Sequence, residues 1–208
     1  MSWAWPTQVR HVLPDGRRLV LRGLGRADRA AWEDLRSRNE AWLAPWESTT
    51  PGDRSGRLPF HQMRRVLDRG ARDGMLLPFV IEVDGRLVGQ MQLFDVLWGA
   101  RRSGWAGYWL AREATGRGVA TWALAALVDH ALLEVGLHRL EVAIRPENAA
   151  SLAVVGRLGL PEEGRQRGLM HVDGGWADHR AFAVLAEDLR PGGYAPGGLV
   201  AHLHGRAG

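Results

Sequence analysis

Two periodicities take turns along this chain, one of two residues and one near 3.6, and their order outlines an architecture. Residues 17–22, Arg-Arg-Leu-Val-Leu-Arg, read as a strand after the turn Pro14-Asp15-Gly16. Over 24–40 the spacing becomes helical, with Asp28 as the candidate N-cap and Trp32, Leu35 and Trp42 on the apolar side. A loop rich in Pro, Gly, Ser and Thr spans 45–59, and a helix is predicted over 60–71. Apolar runs at 77–83 and 87–96 flank Asp84-Gly85, a strong hairpin signature. A third strand, 104–110, leads through Gly116 to Gly118 into a long helix over 119–134. A strand at 140–144 and a helix at 146–158 follow, and strands at 163–172 and 176–187 close around Asp173-Gly174-Gly175. This order predicts an α/β (α+β) fold with a mixed, mostly antiparallel central sheet flanked by helices on both faces. Residues 1–190 form a single domain, and 191–208, punctuated by two Pro-Gly-Gly triplets, are expected to be a loosely packed tail.

Composition narrows the chemistry. Lys+Arg total 27 with no lysine among them, which excludes a catalytic lysine, and Cys 0 excludes thiol nucleophiles and thiolate zinc sites. No His pair has ligand spacing beside acids, so no metal is expected. No apolar run approaches the roughly 20 residues of a membrane span, and residues 1–10 lack the pattern of a signal peptide, so a cytoplasmic protein without membrane contact is expected. The net charge of +4 is spread along the chain, and no arginine cluster interleaves with aromatics, which argues against specific nucleic-acid binding.

One segment carries chemistry. Thr115-Gly116-Arg117-Gly118-Val119-Ala120 falls between a strand and a helix, where a glycine-rich turn aims several backbone N–H groups at one anion. Arg112 and Arg117 can add charge. By itself such a turn is also a plain helix start. In context, Gly107 to Thr121 is followed by Arg145-Pro146-Glu147-Asn148-Ala149-Ala150-Ser151 and by Leu158-Gly159-Leu160. Together with Asn39-Glu40-Ala41-Trp42-Leu43, Trp46 and Asp173 to His179, this order resembles the GNAT acetyltransferase superfamily, and within it the RimJ/RimL type of protein N-terminal acetyltransferases. The resemblance runs over about 17–189 and makes 1–190 an acetyltransferase domain.

The resemblance implies that acetyl-CoA is the cosubstrate. Its pyrophosphate would lie on Thr115, Gly116, Arg117, Gly118, Val119, Ala120 and Thr121, with Arg112 nearby. The strand from Tyr108 to Leu110 would splay to admit the pantetheine arm, and Asn148 would hydrogen-bond that arm. Thr115 departs from the Gln or Arg usual at its position. A backbone N–H of Leu110 or Ala111 would meet the charge developing on the thioester oxygen. Ser151 matches the serine offered as proton donor to the departing thiolate, and Asn148 and Ser151 can equally be helix-capping residues. The tyrosine common in the wider superfamily is missing, its slot falling near Val155, and Met170 stands where a carboxylate base would be expected. Glu163 and His171 share one strand face, opposite to Met170, and read most simply as solvated.

An α-amine of pKa near 7.8 is roughly a tenth neutral at pH 7, against about one lysine amine in 2,500. A site without a strong base therefore suits α-amines. The acceptor-side charges Glu40, Glu47, Asp53 and Asp68 are matched by Arg54, Arg57, Arg64, Arg65 and Arg69, whereas a polycationic acceptor calls for an acidic pocket. Trp42, Trp46 and Trp98 can line a groove for a peptide end, or be core. The expected activity is acetylation of a protein N-terminus, such as that of a ribosomal protein, by a monomer or homodimer. The alternatives are a GNAT enzyme for a small-molecule amine and a weakly active acyl-CoA sensor.

Overall fold

The computed structural model describes residues 3–52 and 57–207, so Asp53 and Arg54 lie outside the described residues. Eight strands form one sheet: β1 (Gln8–Val12), β2 (Arg18–Arg22), β3 (Leu77–Val83), β4 (Arg86–Leu97), β5 (Ser103–Leu110), β6 (Arg139–Ile144), β7 (Glu162–Val172) and β8 (Gly175–Leu185). Their order is β1-β2-β3-β4-β5-β6-β8-β7, antiparallel throughout except for β5 with β6. The two Asp-Gly hairpins form as their residues predict. Asp84 and Gly85 take φ of 49° and 78°, and Asp173 and Gly174 take 50° and 81°, the paired left-handed conformations of a tight hairpin turn.

Helices α1 (Arg29–Arg38), α2 (Glu40–Leu43) and α3 (Phe60–Arg72) lie to one side. Trp32 and Phe60 meet Val80 there. On the other side, Phe79 and Ile81 join the main core with α4 (Val119–Asp129) and α5 (Ala149–Leu158). Alternation along β3 thus feeds both faces, and its positions are buried except for Glu82. Glu82 and Asp28 share the guanidinium of Arg22, each at 2.7 Å.

Two expectations are corrected, and one strand was not anticipated. Asp28 does not cap α1: its carboxylate goes to Arg22 and to the Gly25 N–H at 2.6 Å, and a 3-10 turn at Arg26–Asp28 precedes the helix. The edge strand β1 escapes detection because Gln8, Arg10 and Val12 are exposed and give no buried face to one side. The tail is not loose. It forms α6 (Leu199–Ala207), with Leu199 and Ala195 fully buried. Asp129 at the end of α4 accepts the first amides of α6, from Leu199 at 2.7 Å and Val200 at 3.0 Å.

Candidate active site

Strands β5 and β6 are paired only at Ser103 with Arg139, Gly104 with Leu140 and Trp105 with Glu141. Beyond that point β5 follows β4 while β6 follows β8, and the two part. A cavity of about 850 Å³ opens in the gap, lined by Gly107, Tyr108 and Trp109 on one side and Val142, Ala143 and Ile144 on the other. The amide of Ala111 is already bonded to the Val88 carbonyl at 2.9 Å. Alternation along a strand turns the Leu110 amide the opposite way, toward the gap. Its own carbonyl, on that same side, accepts the Trp42 indole N–H at 3.2 Å. Of the two amides the sequence left open, Leu110 is therefore the one facing the cleft.

The glycine turn sits at the head of α4. Gly118 is the N-cap residue, at φ 75° and with no side-chain cap, so the first amides of the helix are unpartnered. The amides of Gly116, Arg117 and Gly118 likewise bond to no backbone acceptor among the described residues. With Val119, Ala120 and Thr121 these groups make a cradle that fits a pyrophosphate. Thr115 is different: its hydroxyl and its amide both donate to the Arg112 carbonyl, at 2.7 and 3.2 Å. It shapes the turn and offers the anion no donor. Arg112 points its guanidinium over the Trp42 ring, 5.8 Å from the centroid. Arg17, which sequence reasoning left as a strand residue, reaches across from the β1–β2 hairpin to the Arg117 carbonyl at 2.9 Å.

The opening of α5 answers the question of the cap. Asn148 Oδ1 accepts the Ser151 amide at 3.0 Å, so Asn148 is the cap and Ser151 lies inside the first turn. Both line the cavity. The Tyr108 phenol ends beside Ser151; its oxygen is buried with no well-formed hydrogen bond among the described residues. Burial pushes that phenol up to about 12, with the Ser151 hydroxyl pulling the other way, so it stays protonated at neutral pH. Tyr108 reads in sequence as an ordinary strand aromatic, and only the parting of β5 from β6 brings it to the site.

The three tryptophans separate. Trp46 lines the cavity, with the Arg145 guanidinium 5.6 Å from its ring. Trp42 braces the free edge of β5 instead. Trp98 stands apart, donating to the Gly74 carbonyl at 3.0 Å and packing on Trp3, so it is no part of the groove. Buried Asn39 links the acceptor side to the turn: it accepts the Arg112 amide at 2.8 Å while donating to the Leu35 carbonyl. Charges here are paired off. Glu47 is bonded to Arg36 and Arg57, and Arg57 also approaches Glu40 at 3.6 Å. Burial opposes ionisation of Glu47, but the two guanidinium groups outweigh it and hold its carboxyl below the usual range. Glu163 is an ion-pair partner of Arg139, and His171 bonds through Nδ1 to Thr49 Oγ1 at 2.6 Å. Met170 lines the cavity, as does buried His179, the last residue of the Asp173 to His179 segment, to which the sequence assigned no chemical role.

A parted strand pair, an open helix N-terminus and a serine at the cleft define an acyl-CoA transferase site. The Acetyltransferase (GNAT) domain family matches residues 18–161, and the chain belongs to that family. It is an acetyl-CoA-dependent N-acetyltransferase. Mycobacterium smegmatis RimJ, solved in complex with CoA-disulfide, superposes with a TM-score of 0.89 at 39% identity, covering 100% of this chain and 98% of that one. The [ribosomal protein uS5]-alanine N-acetyltransferase of Escherichia coli (strain K12) is 28% identical over 171 residues, 79% of this chain and 87% of that protein. Probable N-acetyltransferase YjcK of Bacillus subtilis (strain 168) is 36% identical over 105 residues, 50% of this chain; the match spans 58% of that protein's length. No described helix is long and apolar enough to cross a membrane.

Proposed function

We propose that this enzyme acetylates the α-amine of a protein N-terminus, in particular that of a ribosomal protein, in the cytoplasm. The observation that carries this reading is the acceptor side of the cavity: roomy, walled by Trp46 and Met170, and with each of its carboxylates matched by an arginine, Glu33 by Arg29, Glu40 by Arg57, and Glu47 by Arg36 and Arg57. Such a wall suits a peptide end with one amine and repels nothing that follows it, whereas a polyamine or aminoglycoside requires free acidic groups. The names of the relatives agree: the Escherichia coli protein is an alanine N-acetyltransferase for uS5, and the Mycobacterium smegmatis protein is a RimJ.

Acetyl-CoA supplies an activated acetyl group as a thioester. The amides from Gly116 to Thr121 hold its pyrophosphate, and Arg117 adds charge at the rim. The Asn148 Nδ2 group, left free by the cap made through Oδ1, donates to the pantetheine arm. The Leu110 amide meets the charge that grows on the thioester oxygen as the amine attacks, a stabilisation that operates best in a dry, preorganised cleft. Ser151 donates its hydroxyl proton to the departing sulfur.

A peptide panel near pH 7.5 tests the acceptor. Short peptides beginning with Ala or Ser are expected to be acetylated, while an N-blocked lysine peptide, a polyamine and an aminoglycoside are not. Preferential turnover of any of these three overturns the reading. In cells, mass spectrometry of protein N-termini with and without this enzyme identifies the target.

A further inference from the structure

We propose that His179 is a catalytic residue of this site, the group that takes the proton from the acceptor's α-ammonium. The inference rests on the N-terminal acetylation reading above and supplies the base that Met170 cannot be. His179 lies on β8, is only 4% exposed, and lines the same cavity as Ser151, Tyr108 and Met170. Met170 pairs across the sheet with Ala177, two residues before His179. Side chains two apart share a face, so the imidazole stands on the face where a carboxylate is missing, one strand over.

The ring's tautomer follows from its neighbour. His179 Nδ1 is 3.0 Å from the Ala177 carbonyl oxygen, and a carbonyl only accepts, so Nδ1 carries the hydrogen and Nε2 the lone pair. Nε2 has no hydrogen-bond partner among the described residues. The charged groups around it are Arg145 and Glu147 from the connection between β6 and α5, and Asp178 on its own strand. Tyr108 of β5 faces the cavity as a neutral phenol, and Gln166, paired opposite on β7, holds a buried Oε1 without a partner among the described residues. Burial lowers the basicity of His179 most and Arg145 adds to it, against the Ala177 carbonyl, Glu147 and Asp178. At pH 7 the ring is neutral and ready to accept.

The step balances. An ammonium N–H bond breaks and its proton moves to Nε2; the freed lone pair forms the C–N bond to the acetyl carbon. The C–S bond then breaks with its electron pair on sulfur. The second amine proton passes to Ser151 as the Ser151 hydroxyl proton goes to the thiolate, and the imidazolium returns its proton to water. With His179 present the enzyme can use the ammonium form, which dominates at pH 7. Without it only the neutral amine reacts.

The test is the pH profile of kcat/KM from pH 6 to 9.5 for a peptide beginning with Ala, in the wild type and in His179→Gln. The variant is expected to lose roughly 5- to 10-fold at pH 7, the ratio of ammonium to amine for a pKa near 7.8, and to come within twofold at pH 9.5. Its acid limb should move up to the pKa of the peptide amine. Unchanged kcat/KM at pH 7, or an equal loss at both ends of the range, overturns the proposal, the second result marking a structural role. Calorimetric CoA affinity equal to wild type establishes that the variant is folded. Nitrogen-15 spectra of the wild-type imidazole rings give an answer that needs no acceptor: a neutral Nδ1–H tautomer titrating below 6.5 supports the role, and an Nε2–H tautomer or a ring charged at pH 7 overturns it. A wild type inactive on the peptide fails the acceptor reading alone.

Discussion

Replacing Ser151 by alanine separates two roles that a serine near a helix start can play. The cap of α5 is made by Asn148, whose Oδ1 accepts the Ser151 amide at 3.0 Å, and an alanine at 151 keeps that amide. Alanine is also the better helix former by about 0.5 kcal/mol, so Ser151→Ala should leave the melting temperature unchanged or raise it by roughly 1–2 °C in a domain of this size. Asn148→Ala, by contrast, removes the cap and should cost about 1 kcal/mol, a fall of roughly 2–4 °C. If Ser151 protonates the departing sulfur, Ser151→Ala lowers kcat by roughly 10²-fold with little change in KM for acetyl-CoA. Thiol release followed by colorimetry gives the rates, and scanning calorimetry gives the stabilities. Full kcat in Ser151→Ala with a melting temperature several degrees lower would refute the reasoning, because it would make serine the cap.

Gly118→Glu should raise the Kd for CoA by more than about 10²-fold, since it forces a side chain into a φ of 75° and sets a carboxylate beside the pyrophosphate; unchanged affinity by calorimetry in a folded variant removes the cradle assignment. Leu199→Ala should destabilise the enzyme by about 3 kcal/mol, roughly 10 °C, because the side chain is fully buried between α6 and α4; a shift under 2 °C would mean that α6 is dispensable. Glu47 titrates below the usual carboxylate range in the folded protein. Its stabilisation is therefore present above a pH of about 4.3 and is lost as pH falls through the lowered folded value. The difference in melting temperature between wild type and Glu47→Gln should be largest above pH 5 and shrink toward pH 3, and a constant difference would contradict the pairing with Arg36 and Arg57.

Local signals carried the fold a long way. Asp84-Gly85 and Asp173-Gly174 each dictate a turn whose backbone few other residue pairs tolerate, so the two hairpins are legible from four residues. The Gly116 to Ala120 turn is legible for the same reason. What stayed hidden depends on distance in the chain. Helix α6 is weakly apolar, and its burial comes from Asp129, seventy positions away, which caps it. Asp28 shows the reverse: a good cap by type, it is drawn off by Arg22. At the site, Trp42, Trp46 and Trp98 are chemically alike, and only the sheet's divergence decides which one meets the cavity. His179 ends the segment from Asp173 that carries part of the resemblance, but no role was legible there because a lone histidine in an alternating strand has no spacing signal; the proposed role arises from Ala177, Arg145 and the cavity wall together.

The parting of β5 and β6 places an unpaired strand edge in the interior of the sheet, where other proteins put their edges at the rim. A neighbouring chain cannot easily reach it, but a slim cosubstrate can fill it, and each molecule bound there holds the two half-sheets together. Mass action then ties the stability of the fold to occupancy of the cleft: at a free concentration 100 times Kd, binding adds about 2.7 kcal/mol to the stability of the folded state.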